Sequence, residues 1–241
     1  MEECIRFDHV TKAYGDHVVL EDFSLTLHRG EFLTIIGRSG CGKTTALRLI
    51  NGLLTPNEGA VYVNGRNVAD ADLISLRRGI GYAIQSVGLF PHMTVAKNIA
   101  YVPSLSKLWS KEQEKEEVAR LLTTVGLSAD LGTRYPRELS GGQQQRVGIA
   151  RALAGHPQIL LMDEPFGAVD EITRRSLQAE LLRLQKDLAL TIVFVTHDIK
   201  EALRLGSRVL VLEHGHICQL DTPEQLTAAP ADDFVRELLG L

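Results

Sequence analysis

"EFLTIIGRSGCGKTTALRLI", residues 31–50, decides how the rest of the chain is read. Its opening, "EFLTIIG", is a short apolar run and reads as a buried strand. "GRSGCGKTT", 37–45, then matches the pattern G-x-x-x-x-G-K-[ST] in full, and "LRLINGLL" continues as a helix with Gly52 as its stop. Strand, glycine loop and helix are the context that this pattern requires. The residue types follow from what such a loop holds. Gly37, Gly40 and Gly42 let the backbone bend and approach phosphate oxygens. N–H groups at the helix start point at the anion, and the helix dipole adds to the attraction. Lys43 is expected to place its charge at the β- and γ-phosphates of a nucleotide. Thr44 offers a hydroxyl to Mg²⁺, and Thr45 reaches the α-phosphate. Ser39 and Cys41 complete the predicted nucleotide-binding loop. The helix end and Lys43 are expected to lower the pKa of Cys41, so that a thiol reagent inactivates the protein and ATP protects it.

Working outward, "ILLMDEP", 159–165, is four apolar residues closed by an acidic pair. At the end of such a strand Asp163 can hold Mg²⁺, and Glu164 can polarise an attacking water. "LTIVFVTHD" is another apolar strand, with His197 at its end placed for a γ-phosphate contact, and "RVLVLEHGHI" adds a strand and a turn. Between them Leu177, Leu181, Leu184 and Leu188 mark one face of a helix. Strand, helix, strand implies a parallel sheet with ligands outside its carboxyl ends. The first third alternates instead. "CIRFDHV", "VVLEDFSLTL" and "GAVYVNGRNV", the last with the hairpin signal Asn64-Gly65, read as an antiparallel layer. The stretch 88–155 has no such strand. It holds a helix whose Ser110 and Gln113 form a capping box and whose Val118, Leu121, Leu122 and Val125 share a face. A second helix opens at "LSGGQQQR" with Val147, Ala150 and Leu153 on one side, closed by Gly155 and Pro157.

The expected fold is therefore α/β: a P-loop NTPase core with an antiparallel β-subdomain and an inserted α-helical subdomain. Residues 1–241 read as one domain, with 1–87 and 156–241 as core and 88–155 as insertion. A net charge of −4 offers no bulk field for nucleic acid, and no nucleic-acid partner is expected. Cys4, Cys41 and Cys218 are scattered and read as reduced thiols. The start "MEECIRFDHV" lacks a signal-peptide apolar region, and no apolar run approaches the ~18–20 residues that span a bilayer.

On these residues the chain resembles the nucleotide-binding subunits of ATP-binding cassette (ABC) transporters along essentially its whole length. Walker A is 37–45 and Walker B 159–164; "LSGGQ", 139–143, is the signature; "FGAVD", 166–170, is the D-loop; and His197 is the switch histidine. The resemblance makes Gln85 the Q-loop glutamine, sensing γ-phosphate and Mg²⁺, and Tyr14 the aromatic that stacks on adenine. It implies a head-to-tail dimer with a second copy or a paralogous ATPase. There Ser140, Gly141, Gly142 and Gln143 of one subunit cap the nucleotide held by the other, with Asp170 at the interface. It assigns catalysis to Glu164, His197, Lys43 and Gln85, and Mg²⁺ to Thr44, Gln85 and Asp163. A separate permease, an extracytoplasmic solute-binding protein, and a peripheral position on the cytoplasmic membrane face are implied as well. Leu89, Phe90 and Met93 are a candidate apolar patch for a permease helix. A finer resemblance, carried by "IGYAIQSVGLFPHMTVAKNIAYVPSLSKLW" and "DEPFGAVDEITRRSLQAELLRLQ", is to importers of quaternary amines and osmoprotectants: glycine betaine, choline, carnitine and ergothioneine. Many such subunits carry C-terminal cystathionine-β-synthase-like modules. After "DTPEQLTAAPADDFVRELLGL" none is expected here, nor ionic-strength sensing through them. The alternatives are another solute class such as an amino acid, an exporter, and a non-transport ABC ATPase. A small-molecule P-loop kinase leaves the signature and D-loop unexplained.

Overall fold

The computed structural model describes residues 2–84 and 88–241. Its strands are β1 Glu3–Tyr14, β2 His17–His28, β3 Phe32–Ile36, β4 Glu58–Val63, β5 Arg66–Asn67, β6 Ile80–Ala83, β7 Ile159–Asp163, β8 Thr191–Val195, β9 Arg208–Glu213 and β10 His216–Asp221. Its helices are α1 Lys43–Ile50, α2 Leu73–Arg78, α3 Val95–Ile99, α4 Tyr101–Leu105, α5 Lys111–Thr124, α6 Gly141–Leu153, α7 Glu171–Leu188, α8 Ile199–Leu205, α9 Pro223–Ala228 and α10 Asp233–Leu239. The chain forms two compact units: Met1–Arg77 with Ala189–Leu241, and Arg78–Leu188. The second contains the segment 88–155 together with β6, β7 and α7.

In the first unit, β3 (FLTII) and β8 (TIVFV) are buried along their whole length. Short, mostly apolar and rich in β-branched residues, such strands sit in a parallel sheet covered on both faces. Strands β10, β9, β3 and β8 lie in that order, with β9, β3 and β8 parallel and β10 antiparallel at the edge. Thr34 is the polar exception inside β3, and its hydroxyl donates to the carbonyls of Ala202 (3.2 Å) and Arg208 (3.4 Å). Ile36, Val209 and Val211 pack with Ala202, Leu226 and Val235 into a core that α8, α9 and α10 cover. Each fully buried valine, leucine or isoleucine of this set contributes about 1.5–3 kcal/mol. The first third makes an antiparallel sheet of order β2-β1-β4-β5. The Asn64-Gly65 turn joins β4 to β5, both residues at positive φ (49° and 73°) as a two-residue hairpin demands.

In the second unit β6 and β7 pair in parallel, Ile80 opposite Ile159 through Ala83 opposite Met162. Helix α5 starts at the Ser110–Gln113 capping box and buries Val118, Leu121 and Leu122. Val147, Ala150 and Leu153 are buried on α6. Leu177, Leu181 and Leu184 are buried on α7, but Leu188, expected on the same face, is exposed because it stands at the helix end. No helix among the described residues is long and apolar enough to cross a membrane.

Candidate functional site

In the first unit, β3 delivers the glycine loop and α1 carries it away. Gly42 is the N-cap of α1, at φ 111°, and a Cβ there would lie 2.7 Å from Leu20 Cδ2 and 2.8 Å from the Val19 carbonyl. No side chain with a Cβ fits that position without a shift. Gly37 is as confined: a Cβ would fall 2.0 Å from the Leu212 carbonyl oxygen. The loop is thus seated between β2 and the end of β9. At Gly40, in contrast, a Cβ would meet nothing within 4 Å, so the cradle is open there. Helix α1 begins with no side-chain cap and no acidic residue in its first turn. The helix thus supplies no anion of its own at its positive end, and such a helix start takes up phosphate. Lys43 is buried to 8% exposure, and its ammonium donates to the carbonyls of Gly37 and Arg38, both at 2.8 Å. Thr44 and Thr45 follow in the first turn, and Ser39 lies exposed in the loop.

Cys41 departs from expectation. It is only 6% exposed, and burial pushes its thiol up in pKa. The pull of Lys43, with Nζ 3.7 Å from the sulfur, acts the other way and is the smaller effect. The helix end and the cation are present, but desolvation of a thiolate outweighs them.

His197 leaves β8 as Gly37 leaves β3, and these strands are parallel neighbours with Ile35 opposite Val195. The histidine and the loop therefore emerge at the same sheet edge. His197 is exposed. The Thr196 hydroxyl, one residue earlier, donates to the Glu201 carboxylate (2.6 Å) and accepts the Asp198 N–H (3.0 Å), which fixes the turn into α8. Tyr14 ends β1, is 47% exposed, and has the Lys12 ammonium 5.4 Å from its ring centroid. It belongs to the hairpin whose Val19 and Leu20 abut Gly42, with Tyr14 opposite His17.

In the second unit, β7 ends at Asp163, which is 4% exposed, and Glu164 follows at φ 46°. A left-handed backbone at a glutamate costs on the order of 1 kcal/mol and turns the chain sharply off the strand. Gln85 lies outside the described residues. The signature segment is an N-terminal cap. Ser140 is the N-cap of α6; its hydroxyl accepts the Gln143 N–H (3.3 Å), while Gln143 Oε1 accepts the Ser140 N–H (2.9 Å). A Cβ on Gly142 would stand 2.8 Å from the Ala168 carbonyl, and Gln145 Oε1 accepts the Ala168 N–H (2.8 Å). Signature and D-loop are thereby fastened together. Asp170 accepts the Thr173 N–H (3.0 Å), which holds its carboxyl below the usual carboxylate range.

Three residues that motif reading passed over matter here. Gln145 ties down the D-loop. Asn98, fully buried, accepts the Phe90 N–H (2.7 Å) and faces the carbonyls of Phe90, Met93 and Thr94 at 3.0–3.2 Å, so it holds the loop after the Gln85 segment. Arg38, the third, reaches out of the loop to within 5.1 Å of the Phe234 ring centroid. Leu89, Phe90 and Met93, expected as an exposed patch, are half-buried. Phe90 stacks at 4.7 Å on Tyr101 and lines a groove of about 330 Å³ with Tyr82, Val102 and Arg151. A wider cleft of about 890 Å³, bordered by Arg120, Arg146 and Arg183, contains none of the predicted phosphate-binding residues.

The donor set suits a nucleotide with its metal. In the first unit the cradle offers backbone donors and one ammonium to phosphate, and Thr44 offers a hydroxyl oxygen of the kind that Mg²⁺ prefers; in the second unit Asp163 offers a carboxylate at the end of β7. Strand, glycine loop and uncapped helix define the P-loop nucleotide-binding class. The chain belongs to the ABC transporter family, whose profile matches residues 20–167. It is 48% identical over 98% of its length to the carnitine transport ATP-binding protein OpuCA of Listeria monocytogenes, covering 59% of that protein. It is equally similar to the glycine betaine uptake system ATP-binding protein YehX of Escherichia coli, covering 76% of it. The chain thus spans about 60% of the length of several of the curated relatives that it matches. Among solved structures, the ATP-binding cassette MJ0796, in a dimeric post-hydrolysis state bound to ADP and Pi, superposes with a TM-score of 0.86 at 34% identity. That match covers 91% of this chain and 98% of the cassette.

Proposed function

We propose that the chain is the ATP-binding and hydrolysing subunit of an ABC importer for a small quaternary-amine solute of the betaine, choline or carnitine type. The observation that carries the ATPase reading is the open P-loop cradle, with an uncapped helix start and Lys43 held on the loop's own carbonyls. The solute class rests on the names of the relatives, which are carnitine and glycine betaine transport proteins.

In this reading Lys43 and the α1 N–H groups take the β- and γ-phosphates, and Tyr14 stacks on adenine. Thr44, Asp163 and Gln85 hold Mg²⁺, whose charge offsets that of the phosphates. Glu164 orients and polarises the attacking water, and His197 holds the γ-phosphate. Ser140, Gly141, Gly142 and Gln143 of a second cassette close the site in trans, with Asp170 at the interface. The cap of α6 leaves Ser140 able to do this. A hydroxyl accepts and donates at once, so Ser140 can keep the Gln143 N–H and still donate to a phosphate oxygen. ATP then favours the closed dimer because only that state satisfies both donor sets. Moving from 1:99 open to 99:1 closed takes about 5.5 kcal/mol of differential binding. The permease docks at the groove beside Phe90, on the cytoplasmic membrane face, and receives solute from an extracytoplasmic binding protein.

Glu164→Gln is expected to retain ATP but lose turnover at least about a hundredfold, the scale of general-base removal. With Mg-ATP it accumulates as a dimer in light scattering. A variant that hydrolyses normally, or stays monomeric at saturating Mg-ATP, would overturn the reading. Hydrolysis by the complex with its permease and binding protein, titrated with betaine, choline, carnitine, ergothioneine and amino acids, decides the solute class.

A further inference from the structure

Arg38 lies between Gly37 and Ser39 in the P-loop, and its side chain is anchored outside the loop. Its guanidinium sits 5.1 Å from the ring centroid of Phe234 on α10. Its Nη2 is 3.6 Å from the Glu237 carboxylate on the same helix, and its Nη1 is 3.8 Å from Glu213 at the end of β9. Helix α10 is itself fixed: Val235 is fully buried, and Phe234, Leu238 and Leu239 pack on the core that contains Ile36, the residue just before the loop. The backbone of Arg38 does a second thing. Its carbonyl accepts the Lys43 ammonium at 2.8 Å.

From these contacts we infer that Arg38 is a positioning residue, through which the C-terminal helix α10 holds the P-loop in its phosphate-receiving shape. The inference rests on the proposed nucleotide-binding function. Gly37, Gly40 and Gly42 have no side chains with which to restrain the loop, and all three take positive φ. Between Gly37 and Gly40 only Arg38 and Ser39 carry side chains, and Arg38 reaches α10. A loop restrained before binding loses less freedom when the nucleotide arrives, so its affinity is higher. Releasing Arg38 lets the carbonyl that faces Lys43 wander and raises the ordering cost. An exposed cation–π contact supports an effect of roughly threefold in affinity.

The test is calorimetric titration of the full chain with Mg-ADP, alongside hydrolysis at saturating ATP. Phe234→Leu keeps an apolar side chain against the core but removes the ring face. It is expected to raise Kd about threefold with turnover at saturation unchanged. Arg38→Ala, at a side chain 59% exposed and remote from the core, is expected to raise Kd by a similar factor. Because Arg38→Ala already removes the ring contact that Phe234→Leu removes, the double variant is expected to match Arg38→Ala alone, and Arg38→Lys to recover part of the loss. Unchanged or tighter binding in both single variants, or full multiplication of the two effects, overturns the inference. A wild-type chain that fails to bind Mg-ADP removes the nucleotide-binding reading itself, whereas wild-type binding with indifferent variants removes only the role of Arg38.

Discussion

Cys41 shows at the residue scale what a motif conveys and what it does not. Its neighbours in sequence, a helix start and Lys43, both favour a thiolate, and local sequence therefore predicts a lowered pKa. Burial is set by β2 and β9 closing on the loop, which no local pattern announces, and burial raises the pKa. The sign then fixes the chemistry. With the pKa above the ordinary thiol range, less thiolate is present at neutral pH, so iodoacetamide is expected to modify Cys41 more slowly than free cysteine. The rate should climb as pH passes through the ordinary thiol range and beyond. Mass-spectrometric timing of alkylation between pH 7 and pH 10, spanning the ordinary thiol pKa of about 8.5, measures this. Modification of Cys41 faster than free cysteine at pH 7 would contradict it. Gly37, Gly42 and Lys43 were legible because their demands are local: a bend, a close approach and a charge at a helix start. Arg38, Asn98 and Gln145 were not. Their partners Phe234, Phe90 and Ala168 are separated from them by 196, 8 and 23 residues, and even the nearest tie depends on how a loop folds back.

Helix α6 links local sequence to a shared surface at the scale of the element. The serine followed three residues later by glutamine is the capping-box pattern, recognised at Ser110–Gln113 from sequence and present again at Ser140–Gln143. The signature was read for what it binds, and its role as a cap of its own helix went unseen. In the proposed function both roles load on one hydroxyl. Ser140→Ala is accordingly expected to destabilise the folded chain by about 1 kcal/mol in urea unfolding without any nucleotide present. Ser140→Asn, which restores an N-cap acceptor, is expected to recover most of that stability. Equal stability of wild type and Ser140→Ala would show that the cap contributes nothing. The ties from Gly142 and Gln145 to Ala168 extend the logic: the helix start and the D-loop are packed as one surface, so a force on either reaches the other. Most strands were legible from alternation or apolar runs. Their extents were not: β1 runs from Glu3 to Tyr14 but changes register several times, with His9 at positive φ. Such bulges answer to partner strands.

For the whole molecule, the question is whether one chain or two complete a site, and the first glycine of the signature, with Lys43 of the P-loop, separates the possibilities. A Cβ on Gly141 would meet only the Ala168 Cβ, at 3.8 Å, which is ordinary contact. Gly141→Asp therefore fits its own fold, and a carboxylate in the first turn of α6 is favourable to the helix dipole. Toward an arriving γ-phosphate the same carboxylate is repulsive. The variant is expected to fold at least as stably as wild type and to hydrolyse no ATP. Lys43→Ala is expected to be inactive for the opposite reason, a missing positive charge in the P-loop. In a head-to-tail dimer formed from one chain of each kind, both defects fall in one composite site. The other site combines the intact P-loop of the Gly141→Asp chain with the intact signature of the Lys43→Ala chain. Mixing two dead proteins in equal amounts should then restore activity, up to about a quarter of the wild-type sites if pairing is random in a two-fold dimer. If each chain completed its own site, every site in the mixture would keep one defect and hydrolysis would stay at the level of the separate variants. Recovery on mixing would establish trans closure without any structure of the complex, and continued silence, with mixed dimers demonstrated by cross-linking, would refute it.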